Sequence, residues 1–225
     1  MFKRIILPLI FGLGGAAILI SLGVWQLQRL AWKEAILAEI DATIAADPVP
    51  VPAAPTPEAD QFRPVTASGL ITDEEIHVLG SVKKIGPGYR IISAFVTDDG
   101  RRLLLDRGWV GLTAKETPRP PVRATITGNL HWPDEMNSST PAPDLKAGIW
   151  FGRDIPAMAA HLDTEPVLIV LRETSESEQV TTPFPLDSSG IPNDHLEYVL
   201  TWFGLAIVWL GMTAFLLWRI NRKTL

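Results

Sequence analysis

Two uncharged apolar runs organise the chain: residues 5–28, between Arg4 and Arg29, and residues 198–218, between Glu197 and Arg219. Each has the length of about 20 apolar residues that a helix needs to cross a bilayer, so the pattern predicts two transmembrane helices. After Val24 the helical period continues into water. Trp32, Ile36 and Ile40 fall at i, i+4 and i+8, while Arg29, Lys33, Glu34 and Glu39 supply polar faces, which predicts one helix from about residue 5 to about residue 45. Prolines 48, 50, 52, 55 and 57 then forbid helix and predict an extended linker over 48–61. From Phe62 the runs become short, apolar and β-branched, predicting strands at 64–70, 75–82, 89–97, 101–110, 123–130 and 166–172. Asp99-Gly100 reads as a hairpin turn between the strand through Ile91 and Phe95 and the strand through Leu103 and Leu105. A helix is predicted over 153–162, with Ile155, Met158 and Leu162 on one face and Pro156 in its first turn. The Ser-, Thr-, Pro- and Asp-rich stretch 174–193 reads as a second linker. Asp194 and Glu197, spaced like a capping box, open the second span at 194.

The expected fold class is therefore a membrane protein in which two transmembrane helices flank one mainly antiparallel β (α+β) extramembrane domain. Its divisions are a tail and first span (1–28), a helical extension (29–47), the proline-rich linker (48–61), the β-rich domain (62–173), the second linker (174–193), the second span (194–218) and a tail (219–225). Charge adds orientation. Lys3, Arg4, Arg219, Arg222 and Lys223 lie outside the spans with no acid among them, while the segment from Arg29 to Glu197 holds the other 15 basic and all 25 acidic residues. Short basic tails stay inside, so both termini are expected in the cytoplasm and the β domain in the periplasm. The excess of ten acids in that domain argues against nucleic acid as a partner. A basic start before an apolar run also describes a signal peptide, but the run is longer than a usual signal core. Residues 21–26 also offer no small-x-small cleavage site, so retention is expected. No Arg-rich, acid-poor presequence precedes it, which favours a bacterial inner membrane over a mitochondrial precursor.

The 225 residues include no cysteine, which excludes disulfides, thiolate metal sites, covalent CxxCH haem and thiol catalysis. Catalytic motifs of the HExxH, GxSxG, P-loop and dinucleotide-binding kinds are absent from the sequence. Gly86-Pro87-Gly88-Tyr89 reads as a turn feeding a strand, and His77, His131 and His161 read as surface or core packing. Asp106-Arg107 reads as a structural ion pair inside a strand. Trp25 and Trp32 suit an interfacial belt, and Arg29 and Lys33 read first as snorkelling cations. Gly12, Gly14, Gly15, Ala16 and Gly23 on one span, and Gly204, Ala206 and Gly211 on the other, allow close backbone approach. His195 sits in the first turn of the second span, on one face with Trp202 and Trp209 and beside Tyr198, Val199 and Ala206. Two readings stay open for it. An interfacial histidine capping a helix is the physical default; a neutral imidazole there can also ligate a flat hydrophobic metal cofactor such as haem, with propionates within reach of Arg29.

Longer motifs go further. Gly23-Val24-Trp25-Gln26-Leu27-Gln28-Arg29-Leu30-Ala31-Trp32-Lys33, Gly88-Tyr89, Arg107-Gly108-Trp109-Val110, and Pro192-Asn193-Asp194-His195-Leu196-Glu197-Tyr198 with Thr201-Trp202 resemble the surfeit-locus family of cytochrome c oxidase assembly factors. Order, spacing and two-span topology match over nearly the whole chain. The resemblance implies a non-catalytic factor, or haem chaperone, that helps place haem a in subunit I of a haem-copper oxidase. It implies His195 as the haem contact, the axial ligand of the iron; around it Trp202, Tyr198, Arg29 and Trp25 are the candidate cofactor-binding residues, with Trp202 one heptad below to cover the macrocycle and Arg29 or Lys33 to pair with propionates. Haem a synthase is a further candidate partner beside subunit I and the lipid bilayer. Asp194 and Glu197 give the histidine motif an acidic character that the family pattern does not require. The competing reading is a colourless scaffold that stabilises oxidase assembly intermediates without haem; a membrane hydrolase would need a convergent polar site in the β domain.

Overall fold

The computed structural model describes residues 2–82 and 85–222, with side chains from residue 5 onward. Of the basic tail residues, Lys223 and the side chains of Lys3 and Arg4 lie outside the described residues. The chain forms two compact units, one of residues 1–39 with 188–225, the other of residues 40–187.

The first unit is a pair of helices. Helix α1 spans Phe2–Ile44 and helix α4 spans His195–Arg222. Both contain windows long and apolar enough to cross a membrane, and most of each apolar surface faces outward rather than into protein. That distribution is expected of helices solvated by lipid. They run antiparallel: Gly12 meets Thr213, Gly15 meets Trp209, Gly23 meets Phe203 and Gln26 meets His195. On α1 the covered positions Gly12, Leu19, Gln26 and Lys33 repeat every seven residues; on α4 Val199, Ala206 and Thr213 do the same. This is the seam of two helices packed at a shallow angle. Phe2 and Arg222 consequently lie at the same end of the pair.

The second unit is a closed barrel. Strands β2 (Pro64–Val82), β3 (Gly86–Thr97), β4 (Arg102–Gly111), β5 (Val122–His131) and β7 (Leu168–Thr174) follow the order β2-β3-β4-β7-β5, and β5 pairs back onto β2. Every contact around the ring is antiparallel except β4 with β7, which is parallel. Short strands β1 (Val49–Pro50) and β6 (Ile149–Trp150) both add in parallel to β2. Ile71, Phe95, Leu103, Leu105, Ile126, Ile169 and Leu171 come from all five barrel strands and fill the interior. Helix α3 (Ile155–Leu162) covers the outer wall, where Met158, Ala159 and Leu162 pack on Ile92, Ala94, Leu104, Leu168 and Val170. β4 and β7 are thus apolar on both faces because one face meets the interior and the other meets α3. Asp154 caps α3 by accepting from the Ala157 amide at 3.2 Å, with Pro156 in the first turn.

Four sequence expectations change. The segments 64–70 and 75–82 are one strand: between Ile71 and Glu75, β2 advances four residues while β3 covers two, and this bulge bends β2 without breaking it. The proline-rich stretch is not a free linker. Val49–Pro50 pairs with Val65–Thr66, and Pro57 starts a single helical turn, α2 (Pro57–Asp60), which the Thr56 side chain caps. The stretch 174–193 is also tied down: Thr182 exchanges two backbone hydrogen bonds with Trp109 (2.7 and 3.0 Å), the Arg90 guanidinium lies 4.7 Å over the Phe184 ring, and Leu186 packs against the outer apolar cluster. Asp106 and Arg107 do not pair with each other, because consecutive strand residues face opposite ways. Asp106 is fully buried and receives Arg90 (2.5 Å) and Arg153 (3.3 Å), whereas Arg107 donates to Glu176 at 2.8 Å. The last turn of α1 ends against the barrel, where Asn129 and Arg172 donate to the Ile44 carbonyl at 3.0 and 3.3 Å. These side chains satisfy an acceptor that the end of a helix leaves open.

Candidate functional site

His195 opens α4, one turn before the buried Val199, and the seam turns it toward α1. Its Nδ1 lies 2.7 Å from Gln26 Oε1, and Gln26 is itself buried. An amide oxygen only accepts, so Nδ1 is the donor in this contact, and in the neutral imidazole Nε2 is then the nitrogen that carries the lone pair. A hydrogen bond that fixes one ring nitrogen and presents the other is the usual support of a metal-ligating histidine. Trp202, two turns further along, has its indole Nε1 buried without a hydrogen-bond partner. Trp209, the third residue on this face, donates its Nε1 to the Gly12 carbonyl at 3.0 Å. Tyr198 lies on α4 outside the seam and is half exposed.

Arg29 is not drawn into the His195–Gln26 pair. Its guanidinium lies over the rings of both Trp25 (5.6 Å) and Trp32 (5.1 Å), on an exposed ladder along α1. Trp25, Arg29 and Trp32 stand at i, i+4 and i+7, so they share one helix face. The structure therefore brings His195 and Trp202 onto one seam and puts Trp25 and Arg29 on a separate exposed face. Sequence reasoning missed Gln26. The available signal was its spacing of seven from Leu19 and Lys33, which puts a polar side chain on the seam of an apolar helix.

The motifs of the barrel hold it together. Trp109 is buried beneath Gly80 and Gly88; a Cβ at Gly88 would sit 2.8 Å from the Trp109 ring and 2.2 Å from the Val110 carbonyl. Gly108 has φ +107°, and a Cβ there would meet the Thr182 carbonyl at 2.1 Å. Thr181 donates its hydroxyl to the Arg107 carbonyl at 2.9 Å. Arg107-Gly108-Trp109 is thus the clamp that fastens the returning segment 176–182 to β4.

The remaining histidines stay apart. His77 is bonded to Glu75 at 2.7 Å, and Arg119 donates to the same carboxylate at 2.6 Å, beside a cavity of about 360 Å³. Burial alone would raise Glu75, but hydrogen bonds and charge from His77 and Arg119 outweigh it and hold the carboxyl at about 2. His131 stacks on Phe62 at 5.7 Å, and burial, reinforced by the Arg153 charge, lowers it to about 4. His161 packs on Trp150. Among the described residues no three His, Asp or Glu side chains group as a metal site.

A helix pair for the bilayer joined in sequence to a closed, helix-capped barrel defines a two-span membrane protein with one α+β domain. A model of the SURF1 family matches residues 13–207, and the chain belongs to that family. It is similar to Surfeit locus protein 1 of Rattus norvegicus, with 24% identity over 213 residues, covering 82% of this chain and 67% of the relative. It is 29% identical to Surfeit locus protein 1 of Homo sapiens over 214 residues (83% and 69%). With the SURF1-like protein of Rickettsia felis it shares 29% over 203 residues (84% and 88%).

Proposed function

We propose that this chain is an assembly factor for a haem-copper terminal oxidase, holding haem a through His195 and passing it to oxidase subunit I. Family membership supports the assembly role. The observation that carries the haem reading is the His195–Gln26 pair: the 2.7 Å hydrogen bond spends Nδ1 and leaves the Nε2 lone pair for iron. The residues present fit such a group. His195 would hold the iron through Nε2, and as the one imidazole on the two helices among the described residues it would leave the group able to pass to a client. Trp202 offers an aromatic surface on the same face. The Arg29 guanidinium, stacked on Trp25 and Trp32, keeps its N–H edges for propionate oxygens, and Lys33 supplies a second cation close by in sequence. Bound haem a supplies the redox chemistry of the client oxidase; the work of this chain is to bind, orient and release, without catalysis.

The same reading puts the protein in a bacterial inner membrane, with both termini cytoplasmic and the barrel periplasmic, so that His195 stands at the periplasmic interface. Basic tails and the Rickettsia relatives support it. Haem a synthase is the natural donor and subunit I the acceptor. The test is the Soret absorbance and haem a content of membrane-extracted protein from a haem a-producing host, comparing wild type with His195→Ala at matched expression. Loss of colour in the variant is expected. An unchanged spectrum removes His195 as ligand and leaves the helix-capping role. Colourless wild-type protein that still co-purifies with the oxidase establishes the scaffold reading instead.

A further inference from the structure

We propose that the barrel carries a docking cleft for its client: an extended loop segment of oxidase subunit I adds as a short strand to the free end of β4, between Gly111 and Val180. The choice of client rests on the assembly role proposed above; the cleft lies wholly within the barrel unit.

The first observation is a strand pairing that starts and does not continue. Beyond Asp106, β4 parts from β7 and takes up the returning segment instead, through the Trp109–Thr182 rung, whose two backbone bonds make it a hydrogen-bonded pair. In an antiparallel ladder the next such pair lies two residues further along each chain, at Gly111 and Val180. That rung is not made. The Trp109–Thr182 bridge is isolated, and among the described residues no backbone hydrogen bond joins Gly111 to Val180. Alternation sends the Gly111 N–H the same way as that of Trp109, away from β3 and toward the gap.

The second observation is the gap itself. Gly111 and Val180 line one cavity of about 380 Å³, together with Ile85, Pro87, Trp109 and Thr182 among others. Ile85 and Val180 are apolar and 58% and 40% exposed, and a Cβ at Gly111 would meet nothing within 4 Å. Trp109 is buried in this lining, and its Nε1 has no hydrogen-bond partner. A spare strand amide and a spare indole donor call for carbonyl oxygens. A helix spends its carbonyls internally and an acyl chain has none to offer along its length, so the matching guest is extended backbone. In strand addition the main chain supplies the hold, and pockets for alternate side chains supply the choice, here an apolar one between Ile85 and Val180. A second copy of this chain has its barrel strands already paired around the ring, whereas a subunit awaiting assembly presents loops that no neighbour yet covers.

Gly111 gives the test, because its φ of −68° is one that proline adopts. Gly111→Pro removes the N–H and Gly111→Ala keeps it. Full-length protein in detergent, without haem, is titrated with short fluorescent peptides tiling the loops of subunit I on the barrel's side of the membrane, and binding is read by anisotropy. At least one peptide should bind wild type and Gly111→Ala alike and Gly111→Pro about tenfold more weakly, the loss of one hydrogen bond, with thermal unfolding of the three proteins unchanged. Val180→Lys, at an exposed position, should weaken the same peptide. On wild type, N-methylation of that peptide should abolish binding at alternate amides and spare those between them, since only every second amide faces β4. Absence of binding by every peptide overturns the inference, as does binding that neither Gly111→Pro nor N-methylation changes. A scrambled peptide that binds equally well reduces the cleft to apolar adhesion and overturns it. A concentration-dependent dimer that Gly111→Pro abolishes gives the cleft to a second copy and overturns it too. The haem reading survives each of these results, because the His195→Ala spectrum decides it separately; colourless protein that binds the peptide keeps this inference under the scaffold reading.

Discussion

Lowering the pH from 7 toward 4 is expected to destabilise the barrel unit through His131 before its carboxylates are protonated. Gln61 fixes the geometry: its Oε1 accepts from the Trp132 amide at 2.9 Å, so its Nε2 turns to His131 Nδ1 at 3.3 Å. That contact suits a neutral imidazole accepting at Nδ1 and opposes a second proton there. Burial is the larger cause of the lowered value, and the Arg153 charge adds to it. The unfolded chain takes up the proton near 6.5, the folded chain near 4. Stability is therefore complete above pH 6.5, falls as pH drops through the window, and levels off below 4. At about 1.4 kcal/mol per unit the whole window amounts to about 3 kcal/mol. For a chain of this size that is roughly 6–12 °C in Tm. The assay is thermal unfolding of the full chain in detergent at several pH values, followed by the β signal in circular dichroism, for wild type and His131→Gln. The wild-type curve should fall by most of this amount between pH 6.5 and 4.5, and the His131→Gln curve should stay nearly flat there. Parallel curves refute the assignment.

Three other outcomes follow from the same structure. Trp109→Ala removes a buried ring beneath two glycines and should cost about 3–5 kcal/mol, read as lost accumulation and lower Tm rather than as bleaching of a stable protein. Glu176→Ala strands the buried Arg107 guanidinium and should cost about 3–5 kcal/mol, whereas the double change Arg107→Met with Glu176→Leu should return close to wild type in chemical denaturation. A cysteine placed at Gly100, in a chain that has none, should react with an impermeant maleimide once the outer membrane is opened; reaction only after the inner membrane is permeabilised reverses the topology.

How much of this was legible in the sequence depends on where each signal resides. The two spans were legible because uncharged length alone specifies them. The Asp99-Gly100 hairpin and α3 carry their instructions locally, in a turn dipeptide, a capping aspartate and a proline in the first turn. β2 was divided in two at residues 71–74, where Asp73 and Glu74 interrupt the apolar pattern; in the structure this stretch is a bulge, and the neighbouring Glu75 is answered by Arg119, which is distant in sequence. The clamp on segment 176–182 was invisible because Thr182 is held through its backbone, and backbone hydrogen bonds leave no residue pattern. The partner of Asp106 was misjudged for the opposite reason: its neighbour Arg107 was the obvious mate in sequence, yet strand alternation sends it elsewhere. At the membrane, His195 was legible through motif resemblance. Its partner Gln26 required knowing which residues of α1 face α4.

The closure of the barrel through β7 also sets an order of events during synthesis. Until residues 168–174 exist, β4 and β5 are the two open edges of an unfinished sheet, lined on the inner side with Leu103 and Leu105 on β4 and with Ile126 and Leu130 on β5. Such edges invite pairing with other chains, and on the β4 edge the contacts that end the exposure join segments more than 60 residues apart, as between Leu104 and Leu168. The fastening of Thr182 to Trp109 comes later still in the chain, only 13 residues before His195 begins the second span. The nascent protein is thus most prone to aggregation in the interval before its last strand emerges, and a chaperone acting on it has most effect there.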